Sequence, residues 1–147
     1  MHGRQMTVVV ICCFVSVVQG QEAKKDDTAI LKGKWNAISY IEDGETASRL
    51  DKTPIEWVFE KEQLTIIAHD QQVLKIKGAC KFDQKADPKT IDVRIDKQGD
   101  IPEQSMKGIY RMEKGQLTIC YAPDGKRPAV FASEQGTGVV LIVLERK

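Results

Sequence analysis

Apolar and polar residues alternate with a period of two over much of this chain, the mark of strands with one dry and one wet face. Between Leu74 and Phe82, the residues Leu74, Ile76, Gly78, Cys80 and Phe82 share one face, while Lys75, Lys77 and Lys81 share the other. Ile55, Trp57 and Phe59 alternate in the same way with Glu56 and Glu60, and Ile91, Val93 and Ile95 with Asp92 and Arg94. The pattern predicts eight strands, over 34–41, 55–60, 63–68, 73–82, 90–95, 106–112, 116–121 and 139–145. The last is apolar on both faces, as in a strand covered from both sides. Asp43-Gly44, Lys114-Gly115, Asp124-Gly125 and Gly136-Thr137-Gly138 supply turn residues that tolerate positive φ. A sheet whose first and last strands pair leaves no exposed edge, so the succession reads as all-β, a single closed or nearly closed antiparallel barrel. The longest irregular stretches fall at 42–54, 96–105 and 122–138, and the first has room for a helical turn over 46–50 lying across a barrel end.

The N-terminus departs from this pattern. A short basic start, Met1 to Gln5, precedes an apolar run from Thr7 to Val18, and Val18-Gln19-Gly20 offers small residues where a signal peptidase cuts. The run falls well short of the ~20 apolar residues of a membrane-spanning helix. Cys12 and Cys13 lie inside it behind the bulky Ile11, which argues against lipid attachment. The expected organisation is a cleaved signal peptide over 1–20, a polar disordered leader over 21–27, and a barrel domain over 28–147. Asp27 or Thr28 would cap one short helical turn ending at Leu31. The expected location is secreted or periplasmic, without stable membrane insertion.

Without residues 1–20 the chain has 21 basic and 21 acidic residues, a formal charge of zero. That gives no basic face for nucleic acid and no pull toward an anionic membrane. His69 is the remaining histidine, and Cys80 and Cys120 are the remaining thiols. His69 and Asp70 are neighbours in a turn, a poor geometry for a base and its orienting acid, and no strained elbow marks a nucleophile. One histidine without Cys-x-x-Cys does not make a zinc site, and Asp83, Asp87, Asp96 and Asp100 match no calcium-loop spacing. The expectation is a non-enzymatic protein without metal or cofactor. An exported protein with two thiols suggests a disulfide, but alternation puts Cys80 and Cys120 on opposite sides of the barrel wall, which favours a buried Cys80 acting as a small hydrophobe.

Trp57, Phe59, Phe82, Tyr110 and Met112 are the candidate lumen residues. Eight strands enclose a space that side chains just fill or that holds one small ligand. Both readings stand here, with filling favoured by the large aromatics. Pro123-Asp124-Gly125-Lys126-Arg127-Pro128 is a stiff exposed loop, and Asp124, Lys126 and Arg127 are the candidate partner contacts.

Leu31-Lys32-Gly33-Lys34-Trp35, Gly108-Ile109-Tyr110, Leu117-Thr118-Ile119-Cys120-Tyr121-Ala122-Pro123 and Gly136-Thr137-Gly138-Val139-Val140-Leu141 occur in an order that resembles a domain family of unknown function found in many copies in planctomycete bacteria. The resemblance covers about residues 28–147 and implies an exported, lipocalin-like β-barrel; it brings no catalytic residues. Gly33-Lys34-Trp35 also looks like the opening signature of lipocalins. There the tryptophan closes the barrel floor and an arginine near the barrel's end lies across its ring, the parts that Trp35 and Arg146 would take. The expected function is binding of a small apolar or amphipathic molecule. The alternative is an interaction or inhibitor module that contacts a cell-envelope protein through its loops.

Overall fold

A computed structural model of the protein describes residues 26–147. The expected signal peptide, and the leader up to residue 25, lie outside the described residues. A short helix α1 (Asp27–Leu31) precedes nine strands: β1 (Gly33–Glu42), β2 (Glu45–Thr46), β3 (Ile55–Glu60), β4 (Gln63–His69), β5 (Val73–Asp83), β6 (Thr90–Ile95), β7 (Gln104–Glu113), β8 (Gln116–Ala122) and β9 (Val140–Arg146). All but β2 form a closed, eight-stranded antiparallel barrel in which each strand pairs with the next and β9 returns to β1. This is the up-and-down arrangement of lipocalin barrels, in which closure removes the exposed edges. The two-residue β2 pairs only with the far end of β1.

Register assigns the faces. Trp57 pairs with Trp35 and Ile66, Ile66 with Ile76, and Tyr110 with Ile119, so these side chains share the inner wall. The inner wall holds the core of Trp35, Trp57, Phe59, Leu64, Tyr110, Leu117, Ile142 and Leu144, each at most 3 % exposed. A bulge between Ala37 and Ser39 shifts the β1 register against β9 and turns Ile38 outward, 46 % exposed, while Tyr40 returns to the core. Gly78 is obligatory at its place in β5, because a Cβ there would run into the Arg94 carbonyl on β6. The expected helical turn near 46–50 is a 3₁₀ turn at Ser48–Asp51, with Ala47 and Leu50 packed against the core.

Antiparallel connectivity sends alternate connections to opposite ends. One end carries α1 and the short turns β3–β4 and β7–β8, together with the 84–89 connection. The other carries the turns after β1 and β4, and the longer segments 47–54, 96–103 and 123–139. The two ends are built differently.

Candidate functional site

The first end is sealed. Asp26, one residue before the expected caps, caps α1 by accepting the Thr28 N–H at 3.0 Å. Leu31 at the end of that turn is 1 % exposed. The Trp35 indole N–H donates to the Leu31 carbonyl at 2.8 Å. Arg146, arriving from the end of β9, sets its guanidinium carbon 4.7 Å from the Trp35 ring centroid. It also donates to the Lys32 carbonyl at 3.1 Å and to the Ile30 carbonyl. One planar group thus ties α1, β1 and β9 together, a use of the rigid guanidinium fork that a lysine cannot copy. Gly33 has φ 127°, and a Cβ there would lie 3.1 Å from the Arg146 Nη1, so the glycine of Gly33-Lys34-Trp35 gives the arginine its seat.

Asp27 anchors the helix from its other side. Its backbone N–H donates to Gln84 Oε1 at 2.9 Å, and its Oδ2 accepts from the Tyr110 hydroxyl at 2.9 Å and from Lys89 Nζ at 2.5 Å. Asp27 is 7 % exposed and Tyr110 1 %. Burial, and then the Asp27 carboxylate, push the Tyr110 hydroxyl well above the usual tyrosine range, so it remains a neutral donor. Nothing in the alternation marks this cluster. Asp27 closes a polar run in the sequence, and its partners are 57 to 83 residues away.

The candidate lumen residues gather in the sealed half. Trp57 and Phe59 have ring centroids 6.0 Å apart, Phe59 and Phe82 5.6 Å, and Phe82 and Tyr110 5.2 Å. Met112 packs partly buried against the same core. These rings fill the lower barrel with the tilted and edge-on contacts that aromatic pairs prefer.

The open half differs in side-chain size and in exposure. The inner wall there carries a small residue at Ala68. Ile55, Ile66 and Ile76 are only partly buried, and Leu74 is 47 % exposed, although all four face inward with Trp57. Ala47, Leu50 and Ile101 pack in from the connecting segments and roof part of this end. An apolar wall on β3, β4 and β5 therefore stays within reach of solvent beside the β4–β5 turn.

The 123–139 segment is a strap laid down the outer wall. Arg127, expected to project from an exposed loop, turns onto the barrel instead. It donates to the Gly108 carbonyl at 2.6 Å and to the Asp92 carboxylate at 2.7 Å, because a guanidinium there satisfies a carbonyl and an acid together. Asp124 accepts the Lys126 N–H at 2.9 Å in a tight turn, and both side chains are exposed. The Arg111 guanidinium lies 4.6 Å from the Phe131 ring centroid, and Ser133 accepts the Gly44 N–H at 3.0 Å while donating to the Val139 carbonyl at 2.6 Å.

Under the strap, Ile109 and Cys120 are fully buried on the outer wall. The Cys120 thiol faces the Val130 and Ala132 carbonyls at 3.6 and 3.7 Å. Cys80 is buried on the inner wall, and both cysteines are free. Burial pushes the Cys80 thiol up to about 11, with the Glu62 carboxylate adding to it, and burial raises Cys120 as well. Neither is poised as a nucleophile at neutral pH.

His69 ends β4, exposed, its backbone N–H donating to the Pro54 carbonyl at 2.9 Å. Among the described residues, no three His, Cys, Asp or Glu side chains are grouped to hold a metal ion. A groove of about 360 Å³ crosses Ala79 and Ser105 on the outer wall between Lys81, Arg94 and Lys107. Its rim is long exposed side chains on a convex wall, and its Asp92 is already paired with Arg127. The partly exposed apolar wall at the barrel's other end is the remaining candidate site.

Fold and site together define an up-and-down β-barrel with one end sealed by a helix and the other partly open onto an apolar wall. Comparison of the chain with protein-family models, curated proteins and solved structures finds no match.

Proposed function

We propose that this protein is an exported, non-enzymatic binding barrel that takes the apolar part of a small molecule into its open end. One observation carries the reading. Ile66 and Ile76 sit in mid-strand and face inward beside Trp57, yet they are incompletely buried where Trp57 is 3 % exposed and Leu64 1 %. A barrel filled to both ends would bury them. Apolar surface held open inside a closed wall is what an apolar guest covers, at ~25 cal/mol per Å². After the cost of immobilising the guest, a Kd on the order of micromolar is expected. The guest settles above the aromatic layer, since Trp57, Phe59, Phe82 and Tyr110 already pack against one another. Export in the manner of the planctomycete domains that the chain resembles belongs to the same reading, and N-terminal sequencing of the protein from its own cells would begin at Gln21.

The test is titration with Nile red, a neutral dye that brightens in apolar sites, against the protein and its Leu74→Ser variant. Leu74 is 47 % exposed, so its loss leaves the fold intact. The variant should keep its Tm and lose about threefold in affinity or more. Saturable dye binding that is identical in the two proteins would refute the open-end site. A second reading, a protein contact through the strap, is favoured by Val130, which is 65 % exposed beside an anchored Phe131. It predicts an envelope partner whose binding is lost with Val130→Asp and Lys126→Ala.

A further inference from the structure

We infer that the outer wall over β5, β6 and β7 is a docking surface for an acidic segment of another polypeptide. The inference stands apart from the open end and rests on how charge is laid out around the barrel. Alternation puts Lys75, Lys77, Ala79 and Lys81 on the outward face of β5, with Ala79 opposite Arg94 and Lys81 opposite Asp92 on β6. On β7, Ser105 stands opposite Arg94, and Lys107 opposite Asp92. Two short side chains thus flank Arg94 and leave the groove of about 360 Å³ between Lys81, Arg94 and Lys107. The groove is open and lies on a convex wall, a place for the side chains of a partner rather than for an enclosed guest.

Asp92 decides the sign of this surface. It lies between Lys81 and Lys107 on the neighbouring strands, and either lysine could neutralise it. It is held instead by Arg127 of the strap, at 2.7 Å. Lys75, Lys77, Lys81 and Lys107 are all exposed, and none of them forms an ion pair among the described residues. Arg94 meets Asp96 only at 3.6 Å, with both side chains more than half exposed, and Glu62 is the other acid lining the groove. The far side of the barrel reverses the balance. β6 and β1 are four strands apart in either direction around the ring, and the outward positions of β1, β3 and β9 set Lys34 against Glu56, Glu60 and Glu145.

Three features narrow the occupant. Closure leaves no strand edge on these strands for a partner to extend, so recognition runs through side chains. No aromatic side chain points outward from β5, β6 or β7, which removes the flat surface on which nucleobases and sugar rings stack. What remains is positive charge spread over ~20 Å of β5 from Lys75 to Lys81, at ~3.4 Å per residue. A flexible run of Asp or Glu carboxylates can follow that line, with Arg94 offering a fork for one carboxylate and the lysines acting as point charges.

The experiment follows a labelled oligoglutamate peptide by fluorescence anisotropy against the purified protein, with an oligoglutamine peptide as control. The expected result is saturable binding of the glutamate peptide alone, weakening steeply as salt is added. Lys81→Gln and Lys107→Gln should each weaken it about threefold, the size of an exposed ion pair, and Lys34→Gln on the far wall should leave it unchanged. Asp92→Asn should tighten it about threefold, because it removes the acid and frees Arg127, a gain that a merely structural role would not give. All four positions are exposed, so the lysine variants should keep the parent Tm. Absence of saturable binding at low salt, or equal losses in Lys34→Gln and Lys81→Gln, would overturn the inference. So would tighter binding of dextran sulfate or of anionic lipid vesicles with the same dependence on Lys81 and Lys107, since the basic face would then have a different occupant. Nile red affinity should not change in any of these variants, so failure of the open-end site and failure of this surface are read separately.

Discussion

Replacing Asp27 with alanine removes the acceptor shared by Tyr110 and Lys89, and the structure sets the size of the effect. The Tyr110 hydroxyl donates to a carboxylate at 2.9 Å with both residues buried, the situation in which a hydrogen bond to a charged group contributes ~1.5–3 kcal/mol. Lys89 is closer, at 2.5 Å, but its side chain is 41 % exposed, so its ion pair adds only ~0–1 kcal/mol. Asp27→Ala should therefore cost about 2–4 kcal/mol, most of it from stranding the phenol. Tyr110→Phe alone should cost about 1.5–2 kcal/mol, and in the Asp27→Ala background it should cost almost nothing, because the hydroxyl has already lost its acceptor. The assay is a double-mutant cycle by urea unfolding, supported by Tm, where 1 kcal/mol moves a domain of this size by roughly 3–6 °C. Proteolysis supplies a second readout, since cleavage within α1 should accelerate in Asp27→Ala before the barrel itself opens. Losses that add to within ~0.5 kcal/mol would show that the two groups do not act on each other, and would refute this account of how the helix is held.

Two further predictions concern the outer wall. Arg127→Ala should loosen the strap at a cost of about 1.5–3 kcal/mol; iodoacetamide at pH 8 followed by peptide mapping should then find Cys120 labelled faster while Cys80 stays protected, and equal labelling would mean global rather than strap opening. Lys147 donates to Glu56 at 2.7 Å and, with the other charges nearby, holds its carboxyl below the ordinary value of 4.5. A depressed folded pKa gives stability that is present above the unfolded value and lost as pH falls through the folded one. Glu56→Gln should thus be less stable than the parent near pH 7 by up to ~1 kcal/mol, and the gap should close as the pH falls below 4.5 and through the lowered folded value; a gap that grows on acidification would refute the pairing.

Strand positions were legible because alternation is local: each predicted strand lies within two residues of its observed bounds. The Gly33-Lys34-Trp35 opening and Arg146 were legible as a pair through a resemblance, and the guanidinium does lie across the ring. Alternation gives the face of a residue and not its height in the barrel. Phe59 and Ile76 both read as inward, yet one is buried in the aromatic layer and the other borders the opening, because height depends on how the strands are staggered around the barrel. Arg127 turns inward against its sequence pattern for a related reason: Pro-Asp-Gly-Lys-Arg-Pro looks like a solvated turn, and the Gly108 carbonyl that draws the arginine in is 19 residues away. Asp27 reads as the end of a polar leader or a helix cap because its neighbours are polar, and nothing local reveals that a buried phenol will need it.

The pairing of β9 with β1 joins residues as far apart as Trp35 and Arg146, the longest-range pairing in the barrel. Such a contact is entropically expensive and forms late. Until it does, β1 and β9 are unpaired edges, and every folding chain passes through that state. The β9 edge of a second copy can meet β1 in the same register. Folding at high concentration is therefore a race between closing one's own barrel and completing a neighbour's.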